Sequence, residues 1–284
     1  RHVPGWFWIE FEQAAGVFTI GEVFNHDAGY CAGYQNYIDS LLNFPLRGIL
    51  EQLFMEGRSM KSMSEYFRFS RTVWEDMDVL GNFVNNHDIE RLLFFGNDVH
   101  ALKAMYAFAF TTLGIPIGYY GDEQLFHGGV DPLNREPLFG LMDTTGEMYQ
   151  YIKTLLDFRF STGFYKHEQV ERMVDDMFYA YSRGQAFFAY TNSHNVQTRM
   201  IGLHPYEEGT LLCDLFDKED CVTVLEGKFT VELVDRQPKI LYPVEAEKKE
   251  GIASQLWGSL TKLLKSEFVS DMSKYYWSDN SQSG

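Results

Sequence analysis

The sequence is short of positive charge. Its 284 residues hold 24 Lys and Arg against 40 Asp and Glu, a formal net charge of −16. Such a surface repels phosphate-rich partners and speaks against nucleic-acid binding. No apolar run approaches the ~20 residues that span a bilayer, and no basic run would hold the chain on an anionic membrane. Cysteine is scarce: Cys31, Cys213 and Cys221 are an odd number without CxxC spacing, so neither a zinc site nor a disulfide framework is indicated. Cys213 and Cys221 are near enough to pair across a turn, and unpaired buried thiols fit about as well. The eight histidines never take the HExxH spacing. No GxSxG occurs, and the glycine-rich phosphate turn of a nucleotide-binding sheet is missing after every candidate strand. No initiator Met or apolar leader precedes Arg1-His2-Val3-Pro4, and the expectation is that this stretch is the later part of a longer protein.

What the chain does have is enough apolar residue, 45%, to bury a substantial core. Between residues 16 and 120 short apolar strands (18–21, within 37–43, 80–84 and 115–119) alternate with helical patterns. Pro45 is expected to interrupt the second strand, and Leu46, Ile49, Leu50, Leu53 and Phe54 then recur at helical spacing. A second helical pattern covers 60–74 and a third 99–113, with Gly114 as its expected C-cap. This cadence is that of βα units in a parallel sheet. Beyond residue 163 the texture changes. Two aromatic runs, 178–181 and 186–190, flank Ser182-Arg183-Gly184-Gln185 as a hairpin, and further strands are expected over 211–213, 222–225, 228–234 and 239–242. A charged linker over 245–250 then leads to an amphipathic helical pattern from Ile252 to Phe268 and a polar tail over 278–284.

The chemistry-bearing residues stand where strands end. Glu22 follows Gly21 at the close of the first strand, where partial desolvation would suit a general acid; a loop carboxylate capping the next helix fits Glu22 alone at least as well. Asn85-Asn86-His87-Asp88 follows Phe83-Val84 and carries more polar groups than a turn requires. Arg91, three residues on, is expected to pair with Asp88, and Asn86 or Asp88 could equally act as an N-cap. Gly121-Asp122-Glu123 closes the fourth strand, and a glycine-rich loop beyond it presents Asp131 and Arg135, a carboxylate and a planar five-donor fork suited to sugar hydroxyls or to bracing each other.

These residues resemble the alpha-amylase family of retaining glycoside hydrolases, most closely its fungal-type members, from Arg1 to about Tyr242. Gly-Glu-Val-Phe at 21–24 resembles the family's fifth-strand segment, Tyr-Gln-Asn-Tyr at 34–37 its sixth-strand region, Phe-Val-Asn-Asn-His-Asp at 83–88 its seventh, and Gly-Ile-Pro-Ile-Gly-Tyr-Tyr-Gly-Asp-Glu at 114–123 its eighth. Asp-Pro-Leu-Asn-Arg-Glu at 131–136 is similar to a glucose-binding loop. The resemblance implies an α/β fold, the second half of a (β/α)8 TIM barrel over residues 1–162, followed by an antiparallel β-sandwich domain over 163–244 and a tail over 245–284.

By the same resemblance Glu22 is the acid/base and Asp88 the carboxylate that stabilises the transition state. Arg1, His2, His26, His87, Asp131 and Arg135 bind substrate, and the His2 backbone carbonyl helps hold a structural calcium ion. The implied protein is a secreted monomer that hydrolyses internal α-1,4 bonds of starch or glycogen with retention. The family's attacking Asp would fall before Arg1, so these residues by themselves are expected to be inactive. Where secreted relatives pair a Cys matching Cys31, aromatic or acidic residues surround Trp74 here. Two alternatives stand beside this reading: an exo-acting α-glucosidase or transglycosylase of the same family, and a non-catalytic glucan-binding protein.

Overall fold

A strand forms in the first half of the chain wherever a short apolar run ends abruptly in glycine or polar residues. The computed structural model describes residues 3–244. Strands β1 (Ile20–Gly21), β2 (Ser40–Leu41), β3 (Gly81–Asn82) and β4 (Ile115–Pro116) lie side by side. β1 pairs in parallel with β2, Leu42 bridges in parallel to Gly81, and β3 pairs in parallel with β4. Helices alternate with them: α1 (Gly5–Ala15), α2 (Ala28–Ala32), α3 (Phe44–Phe54), α4 (Lys61–Val73), α5 (Val99–Thr111) and α6 (Glu147–Thr162). Pro45, expected to interrupt the second strand, instead opens α3, where a missing N–H is no loss. Asn43 caps that helix by accepting from the Leu46 N–H at 3.1 Å.

Apart from His100 and Lys103 near its start, α5 is apolar all round, as suits a helix that packs on the strands and on the following domain at once. Its carboxyl end is not closed by Gly114; Thr112 is the C-cap. Gly114 answers a different need, since it takes φ +111° and an added Cβ would lie 2.6 Å from the Leu80 carbonyl oxygen. The carbonyls left without helical partners at this end are met by two buried arginines. Arg183 reaches Thr111 O at 3.2 Å and Thr112 O at 2.7 Å, and Arg159 reaches Phe110 O and Gly114 O, both at 2.9 Å. Burial, with Arg183 adding to it, pushes the Arg159 guanidinium down to about 10. The negative end of the helix dipole offsets part of that strain on both cations.

Strands β5 (Gln169–Val174), β6 (Tyr179–Arg183), β7 (Ala186–Tyr190), β8 (Gln197–Ile201), β9 (Leu211–Asp214), β10 (Cys221–Thr223), β11 (Phe229–Leu233) and β12 (Lys239–Val244) form the second region. Six make an antiparallel sheet in the order β10-β9-β12-β7-β6-β5, and β8 pairs antiparallel with β11 as a second layer. The expected hairpin is β6–β7, turning at Gly184 with φ +56°. Its unbroken apolar sequence has a geometric cause. Tyr179, Tyr181, Phe188 and Tyr190 face the core built around α5, while Ala180, Phe187 and Ala189 face β8 and β11. Side chains alternate between two interiors, so no polar face is left.

The larger core is continuous from Leu46 to Ile240, and the described residues up to Pro243 form one compact unit. Cys213 and Cys221 face each other across β9 and β10 and are joined as a disulfide, which resolves the two readings of that pair. Cys31 is a buried free thiol with no partner cysteine. The linker, amphipathic helix and tail expected over 245–284 lie outside the described residues.

Candidate active site

Four parallel strands send their carboxyl ends to one rim, where side chains far apart in sequence can meet. Glu22 follows β1, Asn43 follows β2, residues 85–88 follow β3 and residues 121–123 follow β4. At ~4.8 Å between neighbouring strands, the ends of β1 and β3 stand about 10 Å apart. An aromatic line crosses that gap, with ring centroids 4.7 Å apart from Phe24 to Phe44 and 4.9 Å from Phe44 to Phe83.

Glu22 is exposed to solvent, not partly desolvated as its position after Gly21 suggested. The pleat turns Val23 inward instead, to 2% exposure, and so sends its neighbour outward. His26, on the same loop, is also exposed and lays its ring over α3, where a Cβ added at Gly48 would come within 3.0 Å of it.

His87, Asp88, Asp131 and Arg135 form one cluster. Asp88 Oδ1 is 3.4 Å from His87 Nε2 and 3.7 Å from Arg135 Nη2, and Arg135 Nε is 3.0 Å from Asp131 Oδ1. All four side chains are about half exposed, so their charges are screened and contribute little to folding.

Arg91 does not pair with Asp88. Its side chain is fully buried and points beneath the rim, where Nη1 is 2.7 Å from Asp122 Oδ1 and Nε 2.7 Å from Glu136 Oε2. The guanidinium also lies over the rings of Tyr119, Tyr120 and Phe126 at 4.4, 5.3 and 5.4 Å. The cation beside Asp88 is therefore Arg135. Asp122 further accepts from Asn85 Nδ2 at 2.9 Å and from the Tyr106 hydroxyl at 2.5 Å. Burial pushes its carboxyl up to about 6, against the pull of these three donors. Burial also opposes the Arg91 charge, but Asp122 and Glu136 outweigh it and raise the guanidinium further. Burial acts on Glu136 as well, yet its own N–H, Arg91 and the Gly128 N–H hold it below the usual range.

The Asn pair is spent on the protein. Asn85 bridges Asp122 and the Leu92 N–H, and Asn86 Oδ1 accepts from the Asp88 and Ile89 N–H groups in a side-chain turn. This leaves His87 and Asp88 as the groups presented outward. Asp122, Tyr106, Glu136 and Asn134 belong to the same construction and were not among the expected site residues; only the Gly-Asp-Glu after the fourth strand pointed toward Asp122.

Arg1 and His2 lie outside the described residues. A calcium ion at the His2 carbonyl would need further oxygen ligands, and among the described residues no group of three or more His, Cys, Asp or Glu converges to hold a metal ion. Burial, with Asp27 adding to it, pushes the Cys31 thiol up to about 11, the state of an inert core thiol.

Half a parallel barrel with carboxylates and a guanidinium on its strand-end rim, continuous with an antiparallel sandwich, places the chain among the barrel proteins that gather polar side chains at the carboxyl ends of their strands. The chain belongs to the alpha-amylase family: residues 2–172 match its description "Alpha amylase, catalytic domain". It is similar to the Beta/alpha-amylase of Paenibacillus polymyxa, 34% identical over 257 residues, which are 84% of this chain and 21% of that protein. It is 29% identical over 268 residues to Alpha-amylase 2 of Schwanniomyces occidentalis, covering 89% of this chain and 52% of that one. Among solved structures, an alpha-amylase from Malbranchea cinnamomea superposes with a TM-score of 0.81 at 28% identity, covering 88% of this chain and 55% of that one. The chain thus spans about half, or less, of these relatives' length. The expected fold, the second half of a (β/α)8 barrel followed by an antiparallel sandwich, is the fold observed.

Proposed function

We propose that these residues form the acid/base half of an alpha-glucan hydrolase site that cleaves internal α-1,4 bonds of starch or glycogen with retention. The observation that carries this reading is the gathering of His87, Asp88, Asp131 and Arg135 on the rim that also bears Glu22. Retaining hydrolysis uses two carboxyl groups about 5–5.5 Å apart, one protonating the leaving oxygen and one attacking the anomeric carbon. Glu22 takes the first role, and its exposure leaves it free to reach a glucan laid across the rim. Asp88, steered by His87 and Arg135, faces the positive charge that develops on the sugar ring. Arg135 and Asp131 bind hydroxyls beside the cut. The attacking role falls to an aspartate other than Asp88 and Asp131.

Glu22→Gln in the complete protein is expected to abolish starch hydrolysis; activity within about tenfold of the parent refutes the role given to this residue. A blocked oligosaccharide distinguishes the mode of action. Mixed products support internal cleavage, and no product from it, with single glucose units released from its unblocked counterpart, would instead point to an exo-acting glucosidase.

A further inference from the structure

His87 and Asp88 form a turn that projects into solvent, with side chains 56% and 44% exposed, and an unbraced turn of that kind would not hold a carboxylate to catalytic tolerance. Its backbone is gripped from both sides. From within the turn, Asn86 Oδ1 accepts the N–H groups of Asp88 at 3.0 Å and Ile89 at 3.2 Å. From the neighbouring loop, Asn134 Nδ2 donates to the carbonyls of His87 at 2.9 Å and Ile89 at 2.7 Å. Between them these two amides satisfy four peptide groups around Asp88.

Asn134 is fully buried, and its amide can stand only one way round. Exchanging nitrogen and oxygen would set Oδ1 against two carbonyl oxygens. Its own carbonyl accepts from the Tyr119 hydroxyl at 3.2 Å, which ties it to the exit of β4. Asn134 also sits between Asp131 and Arg135, and Arg135 Nε donates to the same His87 carbonyl at 3.2 Å. One buried side chain therefore fixes both the carboxylate turn and the arm that carries the guanidinium.

We propose that Asn134 is the positioning residue of Asp88, holding the carboxylate and the Asp131–Arg135 arm as one rigid unit; this rests on the reading of Asp88 as the transition-state carboxylate. No other residue type of similar size offers two donors from one planar nitrogen to two diverging carbonyls, and an aspartate in its place would face them with an acceptor.

The test is a double-mutant cycle on starch hydrolysis by the complete protein. A displacement of ~1 Å can lower turnover about 100-fold, so Asn134→Ala is expected to reduce kcat/KM by roughly 30- to 100-fold, mostly in kcat. In an Asp88→Asn background the same change is expected to alter kcat/KM less than about threefold, because the group it positions is gone. An effect that multiplies undiminished in that background, or Asn134→Ala within about threefold of the parent, overturns the proposal. Should circular dichroism show Asn134→Ala to be unfolded, Asn134→Ser, whose hydroxyl can hold one carbonyl, is carried through the same cycle and judged by the same limits. If Asp88→Asn itself stays within about tenfold of the parent, the reading of Asp88 fails and the positioning role is overturned with it.

Discussion

Replacing Arg91 by Met is the most direct test of what lies beneath the active-site rim. The guanidinium is fully buried, makes 2.7 Å contacts to both Asp122 and Glu136, and packs on three aromatic rings. Met keeps much of the volume and removes the charge. Asp122, 1% exposed, then keeps Asn85 and Tyr106 as donors but loses its only cation, while Glu136, about a quarter exposed, can turn to water. Stranding one member of a buried pair costs about 3–5 kcal/mol, nearly all of it here from Asp122.

The loss is expected to shrink on acidification. In the parent, Asp122 titrates at about 6 in the folded state against ~3.9 unfolded, so the native state takes up its proton first and this group adds stability as the pH falls from 7 toward 4. Without Arg91 the folded value rises further, the uptake begins nearer neutrality, and the variant gains more than the parent over the same interval. Urea denaturation of parent and variant at about pH 7 and about pH 5 measures this directly. A loss below about 1 kcal/mol at neutrality, or one that stays the same or grows at the lower pH, refutes the account of a buried charge left unpaired.

The arrangement of the rim was legible in the sequence, and its underside was not. Short apolar runs ending in Gly21, Asn85 or Gly121 mark strand ends because a parallel strand buried on both faces reads as an apolar run that stops where the rim begins. The β6–β7 hairpin was legible for a related reason: Gly184 supplies the positive φ of its turn between two continuous aromatic runs. α1 gave no such signal, since its apolar residues are not on one face and none of them is buried. β8 alternates with exposed Met200 on the outward side, which conceals its period. The partner of Arg91 was misread because three residues separate it from Asp88 in sequence, while its real partners are 31 and 45 residues away on another loop. Spacing along a chain ranks local pairs; burial decided this one, because only a side chain directed beneath the rim could neutralise Asp122. Asn134 was hidden likewise, since the residue types around it read as a ligand loop and its amide nitrogen is used wholly inward.

Two further consequences concern the sandwich and its junction with the barrel half. Loss of the Cys213–Cys221 disulfide, by Cys213→Ser with Cys221→Ser, frees a loop of sequence separation 8, for which the chain-entropy relation gives about 2–3 kcal/mol of lost stability; denaturant midpoints equal to the parent's within error would show that the bond constrains little. Arg183→Met is expected to be more damaging although it removes no ion pair of comparable burial, because Asp78, its acidic neighbour at 3.6 Å, is 65% exposed. What the guanidinium supplies is donors: Thr111, Thr112, Tyr165 and His167 all turn carbonyl oxygens toward it. The Thr111 and Thr112 acceptors are buried and cannot be satisfied by a thioether, while those of Tyr165 and His167 are partly buried; at about 1–3 kcal/mol for each buried acceptor the loss is expected to reach about 4 kcal/mol. Arg183→Lys separates charge from geometry, since an ammonium keeps the charge but cannot span the carboxyl end of α5 and the 165–167 segment together. Recovery of less than half the lost stability by Lys, measured by urea denaturation, is the expected result; full recovery would mean that the positive charge at the helix end, and not the planar fork, joins the two regions.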